Sequence, residues 1–215
     1  MKALVTGFEP FGADAINPSR EAVLRLPARL DELTIKTRIL PTVFGRTIAA
    51  LEDALVATRP DIVLCVGLAG GRAELSLERV AINVDDARIP DNDRQQPIDR
   101  PIAAEGPAAY FTGLPVKAAV AALREAGLPA IVSNTAGTFV CNHLFYGLMH
   151  LVASRSLPIR GGFLHVPYMP EQVATLAGMQ VPSMALADIV RGIEIILRVA
   201  AARTEDIVTA EGAIA

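Results

Sequence analysis

The chain has 215 residues, 52% of them hydrophobic, with 20 basic against 23 acidic side chains and a formal net charge of −3. That much apolar material fills the core of one compact α/β domain and leaves some over for a subunit interface. The balanced charge, without clustered Lys or Arg, speaks against nucleic acid or an anionic membrane surface as partner.

Residues 2–6 form a short apolar run that reads as a first strand; its stretch is too short for a secretory signal. A Gly/Pro-rich loop follows, Gly7-Phe8-Glu9-Pro10-Phe11-Gly12. Asn17 and Pro18 then open a helix to about residue 26, with Asn as N-cap and Pro at the first helical position. Residues 33–40 suit a second strand, and 46–58 carry apolar side chains at helical spacing. Residues 61–67 open on Asp61 and are apolar from there on, as in a strand covered on both faces. They run into the permissive turn Gly67-Leu68-Ala69-Gly70-Gly71. Residues 75–84 read as extended. Residues 85–106 form a long polar, proline-containing segment with no regular element, and loops of that length in compact domains are commonly functional.

Further on, the patterns predict a helix over 116–126, a strand over 130–134, a helix over 141–153 and a strand over 162–166. A last helix spans about 183–203, followed by a loose tail over 204–215. Residues 184–202 come closest to a membrane span. However, Asp188, Arg191, Glu194 and Arg198 recur every three or four residues, which marks an amphipathic helix that packs. Strands alternating with helices predict an α/β fold. It is a single domain over 1–215, with a twisted, mixed, largely parallel sheet and helices on both faces. In such folds the site lies on the loops outside the strand ends.

Two thiols and three histidines carry the potential chemistry. With no signal segment, the two cysteines are expected to stay free in a reducing compartment. No His-x-x-x-His or Cys-x-x-Cys spacing points to zinc. Cys65 sits mid-strand, where a thiol is a small buried hydrophobe. Cys141 falls at a strand–loop–helix junction near a helix N-terminus, where free amides and the macrodipole favour a thiolate and can bind an oxyanion. The competing reading is an ordinary buried helix residue. A thiol nucleophile needs a proton acceptor in reach. His143 lies two residues on, turned about 200° away on a helix, and His150 lies nine residues on, about 13 Å along the axis. Both read as helix-surface or core-edge side chains, which leaves His165, near the end of a strand, as the base. The group that would orient its imidazole could be Glu74, Glu78, Asp85, Asp86, Asp91 or Asp93, and pattern alone does not choose. The acidic run from Asp85 to Asp93 reads as a solvated loop and does not match an EF-hand. Gly7 to Gly12 lacks both the dinucleotide and the Walker patterns. Phe8 and Phe11 on that loop are either core anchors or walls of a ligand pocket.

Five ordered blocks make the chain recognisable. They are Val5-Thr6-Gly7-Phe8-Glu9-Pro10-Phe11-Gly12 with Asn17-Pro18-Ser19; Gly70-Gly71-Arg72; Glu78-Arg79-Val80-Ala81-Ile82-Asn83 with Asp86-Ala87-Arg88-Ile89-Pro90-Asp91-Asn92; Thr135-Ala136-Gly137-Thr138-Phe139-Val140-Cys141-Asn142-His143; and Gly161-Gly162-Phe163-Leu164-His165-Val166-Pro167. Over nearly its whole length the chain resembles the pyroglutamyl peptidase I family. The resemblance implies a thiol peptidase that removes N-terminal pyroglutamate, with a triad of Glu78, Cys141 and His165. It also implies a pyroglutamyl pocket lined by Phe8 and Phe11, and Arg88 near the oxyanion. No metal or other cofactor is implied; the expected assembly is a cytosolic homotetramer. Leu68 stands where several relatives carry Gln. A phosphorylase or nucleosidase on a similar scaffold would need a phosphate or ribose site that the sequence does not offer. A non-catalytic binder of the same peptides is argued against by the intact triad.

Overall fold

The computed structural model describes residues 1–176 and 180–212. Nine strands and six helices are laid down among them. In chain order they are β1 (Lys2–Phe8), α1 (Pro18–Val23), β2 (Arg29–Leu30), β3 (Leu33–Leu40), α2 (Arg46–Thr58), β4 (Ile62–Leu68), β5 (Leu75–Glu78) and β6 (Val80–Ile82). Then come β7 (Ala109–Phe111), α3 (Val116–Glu125), β8 (Ala130–Ser133), α4 (Val140–Ser154), β9 (Arg160–Val166), α5 (Pro170–Val173) and α6 (Leu186–Ala202). Seven strands form one sheet in the order β2-β3-β1-β4-β9-β5-β8, and β6 and β7 form a separate antiparallel pair. The β1–β3, β1–β4, β4–β9 and β5–β8 pairings are parallel; β2–β3 and β5–β9 are antiparallel. The sheet is therefore mixed and mostly parallel, as the sequence pattern predicts.

The two-residue period of a strand explains why the central runs are apolar throughout. Ala3 and Val5 of β1 and Ile62, Leu64 and Val66 of β4 face one core, shared with α1, α3 and α6. Leu4, Val63 and Cys65 face the other, shared with α2 and α4. Helix α6 presents Ile189, Ile193, Ile196, Leu197 and Ala200 inward, and its Gly192 lets the helix sit tightly on β5. A Cβ there would stand 2.3 Å from Leu75 Cδ1. Asn17 caps α1, its side-chain oxygen accepting from the Ser19 amide at 3.0 Å, with Pro18 at the first position. No helix among the described residues is long and apolar enough to cross a membrane.

Three features differ from the sequence reading. The extended stretch over 75–84 is broken at Arg79, and its halves belong to different sheets. Strands β2 and β7 hold two and three residues, too few to leave a periodic signal. The stretch expected as a loose tail is tied down as far as it is described, residues 213–215 lying outside the described residues. The Asp206 carboxylate accepts from the amides of Lys117 at 2.9 Å and Ala118 at 2.8 Å. It thereby satisfies two first-turn donors of α3, a helix whose own Pro115 provides no cap. Glu211 pairs with Arg124 at 2.5 Å, and its carbonyl accepts from Arg79.

Candidate active site

The carboxyl ends of the parallel strands β1, β4 and β9 open into a cleft of about 590 Å³. Phe8 reaches it from the end of β1, Phe11 from the loop that follows, Leu68 from the end of β4, Arg88 from the long loop, and Phe139 and Cys141 from the start of α4; Asp14, Asp86 and Tyr168 also line it. A second cleft of about 430 Å³ lies at the opposite end of β4, around Pro60 and Asp61, and contains none of these residues.

Helix α4 begins one residue earlier than the pattern suggests, at Val140, with Phe139 in extended conformation as N-cap. Cys141 thus lies in the first turn, at the positive end of the helix. Its sulfur rests on β4 at Gly67, where a Cβ would stand 2.9 Å from Sγ. Across the β4–β9 ladder Gly67 pairs with His165. On the other side of β9, Ser76 pairs with His165 and Glu78 with Phe163. The even alternation puts Gly67, His165 and Glu78 on one face of the sheet, beneath α4. The His165 Nδ1 lies 2.7 Å from Glu78 Oε1. With Nδ1–H donating to the carboxylate, Nε2 is the ring's proton acceptor. Phe163 packs against the imidazole, ring centroids 4.8 Å apart. The structure therefore selects Glu78 from the six carboxylates that pattern left open, and brings it to the histidine reached by elimination.

Burial acts on the Cys141 thiol against the helix dipole. It pushes the Cys141 thiol up to about 12; the Glu78 carboxylate pushes the same way and the Arg72 guanidinium opposes it. These effects run against the thiolate that the position at a helix N-terminus favours. Cys65 is likewise pushed up to about 12 by burial, as its mid-strand position predicts.

Several residues serve the site in ways that spacing did not reveal. Arg72 pairs with Glu78 Oε1 at 2.8 Å. The Asn142 side chain accepts from the Ile82 amide and donates to the Ile82 and Val84 carbonyls, lashing α4 to β6. Of the two alternatives for His143, helix surface or core edge, the structure shows the second: it is buried and paired. Its Nδ1 lies 2.8 Å from Asp85 Oδ2, and its Nε2 accepts from the Gly45 amide at 2.8 Å. His150 meets the Tyr110 hydroxyl at 3.0 Å through Nδ1.

The long loop contains no regular element, as the sequence predicts, but its acidic run is only partly solvated. Asp85 is spent on His143, and buried Asp91 accepts from the amides of Phe44, Asp93 and Gln95. No cluster of three or more His, Cys, Asp or Glu suited to a metal ion occurs among the described residues. Asn92 of the same loop accepts from the Gly12 amide and donates to the Pro10 carbonyl. Asn17 and Thr42 both donate to the Glu9 carbonyl, so the loop bearing Phe8 and Phe11 is held from three sides. Phe8 is buried, and Phe11 meets Phe139 edge to face at 5.5 Å; both line the cleft. Arg88 is exposed on the cleft rim. The signal for Arg72, Asn142 and His143 lay in the recognisable blocks that contain them.

With this geometry in hand, comparison with known proteins is informative. The family model described as pyroglutamyl peptidase matches residues 1–203. The chain is 56% identical over 210 residues to pyrrolidone-carboxylate peptidase 1 of Ralstonia nicotianae, covering 97% of each. The crystal structure of pyroglutamyl peptidase I from Bacillus amyloliquefaciens superposes with a TM-score of 0.92 at 50% identity, covering 96% of this chain and 99% of that one. A mutant pyrrolidone carboxyl peptidase from the hyperthermophile Pyrococcus furiosus gives 0.90 at 42% identity, covering 94% and 99%. This chain belongs to the pyroglutamyl peptidase family of cysteine hydrolases.

Proposed function

We propose that the chain hydrolyses the bond after an N-terminal pyroglutamyl residue of peptides, with Cys141 as nucleophile, His165 as general base and Glu78 as the group that orients it. One observation carries this reading. A buried carboxylate–imidazole pair at 2.7 Å lies on the sheet face against which the Cys141 sulfur rests. That arrangement suits a thiol whose ionisation burial opposes, because proton transfer to His165 Nε2 can accompany attack.

In this mechanism the Cys141 sulfur bonds to the pyroglutamyl carbonyl carbon as its proton passes to His165. The oxygen becomes an oxyanion, met by unpaired amides of the first turn of α4 and by Arg88. Collapse breaks the C–N bond, and the departing amine takes the proton from His165. Water then gives a proton to His165 and attacks the thioester; pyroglutamate leaves and the thiol is restored. Glu78 holds the imidazole tautomer and stabilises its charged form. The lactam is flat, uncharged and lacks an α-amine, which suits the aromatic walls Phe8 and Phe11. Leu68 contributes an apolar side chain to the same cleft. The reading includes the cytosolic homotetramer that the family resemblance implies, which light scattering of purified protein would check.

The test is release of a fluorophore from a pyroglutamyl amide by wild type, by wild type treated with iodoacetamide, and by Cys141→Ser. Turnover of the serine variant should fall by several powers of ten, roughly 10³ or more. Near-wild-type cleavage by that variant would overturn the assignment.

A further inference from the structure

The mechanism above leaves the guanidinium of Arg72 without a part, although three pieces of the site meet on it. Glu78 is completely buried. Its Oε1 accepts from His165 Nδ1 at 2.7 Å and from Arg72 Nη1 at 2.8 Å, while Oε2 has no hydrogen-bond partner among the described residues. The same guanidinium reaches Ser133 Oγ at 3.4 Å and the Thr135 carbonyl at 3.2 Å, in the segment that leads from β8 to Cys141. Its place is set by the turn after β4, where Gly71 adopts a φ of +91° and a Cβ at Gly70 would stand 2.6 Å from the Tyr168 hydroxyl.

A fully buried carboxylate is costly without a countercharge. His165 does not supply one at rest, because it must be neutral to receive the thiol proton. Arg72 does, permanently. The charge count makes the point. At rest, Glu78 and Arg72 sum to zero. After proton transfer, Glu78, Arg72, the imidazolium and the thiolate again sum to zero. Without Arg72 both states carry one net negative charge beside a developing oxyanion, and like charge in a dry site opposes the reaction. Resting on the peptidase reading above, we infer that Arg72 is a positioning residue for the reaction. It holds Glu78 ionised behind His165 and ties that carboxylate to the loop that delivers Cys141. Lysine could replace the charge but not the fork that spans Glu78, Ser133 and Thr135.

The test uses the full chain with R72K and R72M, and with R72Q should R72M fail to fold. Two readouts are taken. The first is the pH dependence of Cys141 alkylation by iodoacetamide, located by mass spectrometry, which needs no substrate. The second is kcat and KM on a pyroglutamyl amide. Removing the charge in R72M should slow alkylation about tenfold at any pH below the midpoint, the equivalent of moving that midpoint up by about one unit. Its kcat should fall by about 100-fold with KM within about threefold of wild type. R72K should keep a midpoint near that of wild type while recovering only part of kcat. An unshifted midpoint in R72M overturns the inference, whether kcat is retained or lost equally in R72M and R72K. A wild type that cleaves no pyroglutamyl amide, with R72M still shifting the alkylation profile, sinks the peptidase reading and leaves the coupling of Arg72 to the thiol standing.

Discussion

Replacing Gly67 by alanine tests whether the Cys141 sulfur is held against β4. The new methyl carbon would stand 2.9 Å from Cys141 Sγ and 2.9 Å from Phe163 Cζ. Ordinary contacts between such atoms begin at about 3.5–4.0 Å, so the neighbours must yield by roughly 0.6–1.1 Å. Phe163 is buried and wedged between Phe145 and His165, with centroids at 5.9 and 4.8 Å. Moving it would move the imidazole, so the displacement falls on the Cys141 side chain at the cleft. Overpacking of this kind costs about 1–3 kcal/mol, and removing glycine's backbone freedom returns about 0.4–1 kcal/mol. The net loss, about 0–2.6 kcal/mol, is small beside the roughly 5–15 kcal/mol that holds a domain together. The protein stays folded, with Tm lowered by a few degrees for each kcal/mol, about 2–4 °C at this size. Catalysis is less forgiving, because a shift of about 1 Å costs about 100-fold in turnover. Gly67→Ala should therefore melt within about 10 °C of wild type and retain its KM, while kcat on a pyroglutamyl amide falls about 100-fold. Wild-type kcat in this variant would refute the placement of the sulfur on β4.

Three further outcomes are expected. Both thiols are raised to about 12 in the folded chain; unfolded, they titrate near 8.5, so above that pH only the unfolded chain releases these protons and folding stability falls as pH rises. Urea unfolding at pH 8 and 10.5 should show Cys65→Ala losing about 2.5 kcal/mol less stability than wild type across that interval, and equal losses would contradict it. Asp206→Ala strips two amides of α3 of their acceptor and should lower unfolding free energy by about 1 kcal/mol with kcat unchanged, as measured by denaturant titration beside the activity assay. Phe11→Ala removes the ring that meets Phe139; steady-state kinetics should show KM for the pyroglutamyl amide raised about tenfold, and an unaltered KM would remove Phe11 from the binding wall.

The sequence made the strong periodic elements legible, and the structure shows why the others were not. The continuous run in β4 and the spaced charges of α6 each encode their own burial, so they can be read locally. The break at Arg79 is set by which sheet each half of the stretch joins, and Asp206 caps a helix 89 residues away; neither leaves a local signal. The same division governs the site. Cys141 and His165 follow from junction and strand-end positions. Pattern alone left Glu78 one carboxylate among six; the family resemblance implied it, and the antiparallel pairing of β5 with β9 sets it beside the imidazole. Buried Asp91 and Asp85, read as part of a solvated run, show that a polar loop can spend its charges on amides and a histidine as readily as on water.

The strand order has a consequence for synthesis. Strand β9 is the last strand to leave the ribosome, yet it belongs in the middle of the sheet, between β4 and β5. Until about residue 166 has emerged, β4 offers an unpaired apolar edge and β5 has no neighbour on that side. A nascent chain of 150 residues already contains Cys141 and Glu78 but lacks the strand that lies between their elements. Exposed edges of this sort invite pairing with other chains. The chain closes this sheet only when its final quarter has followed the rest.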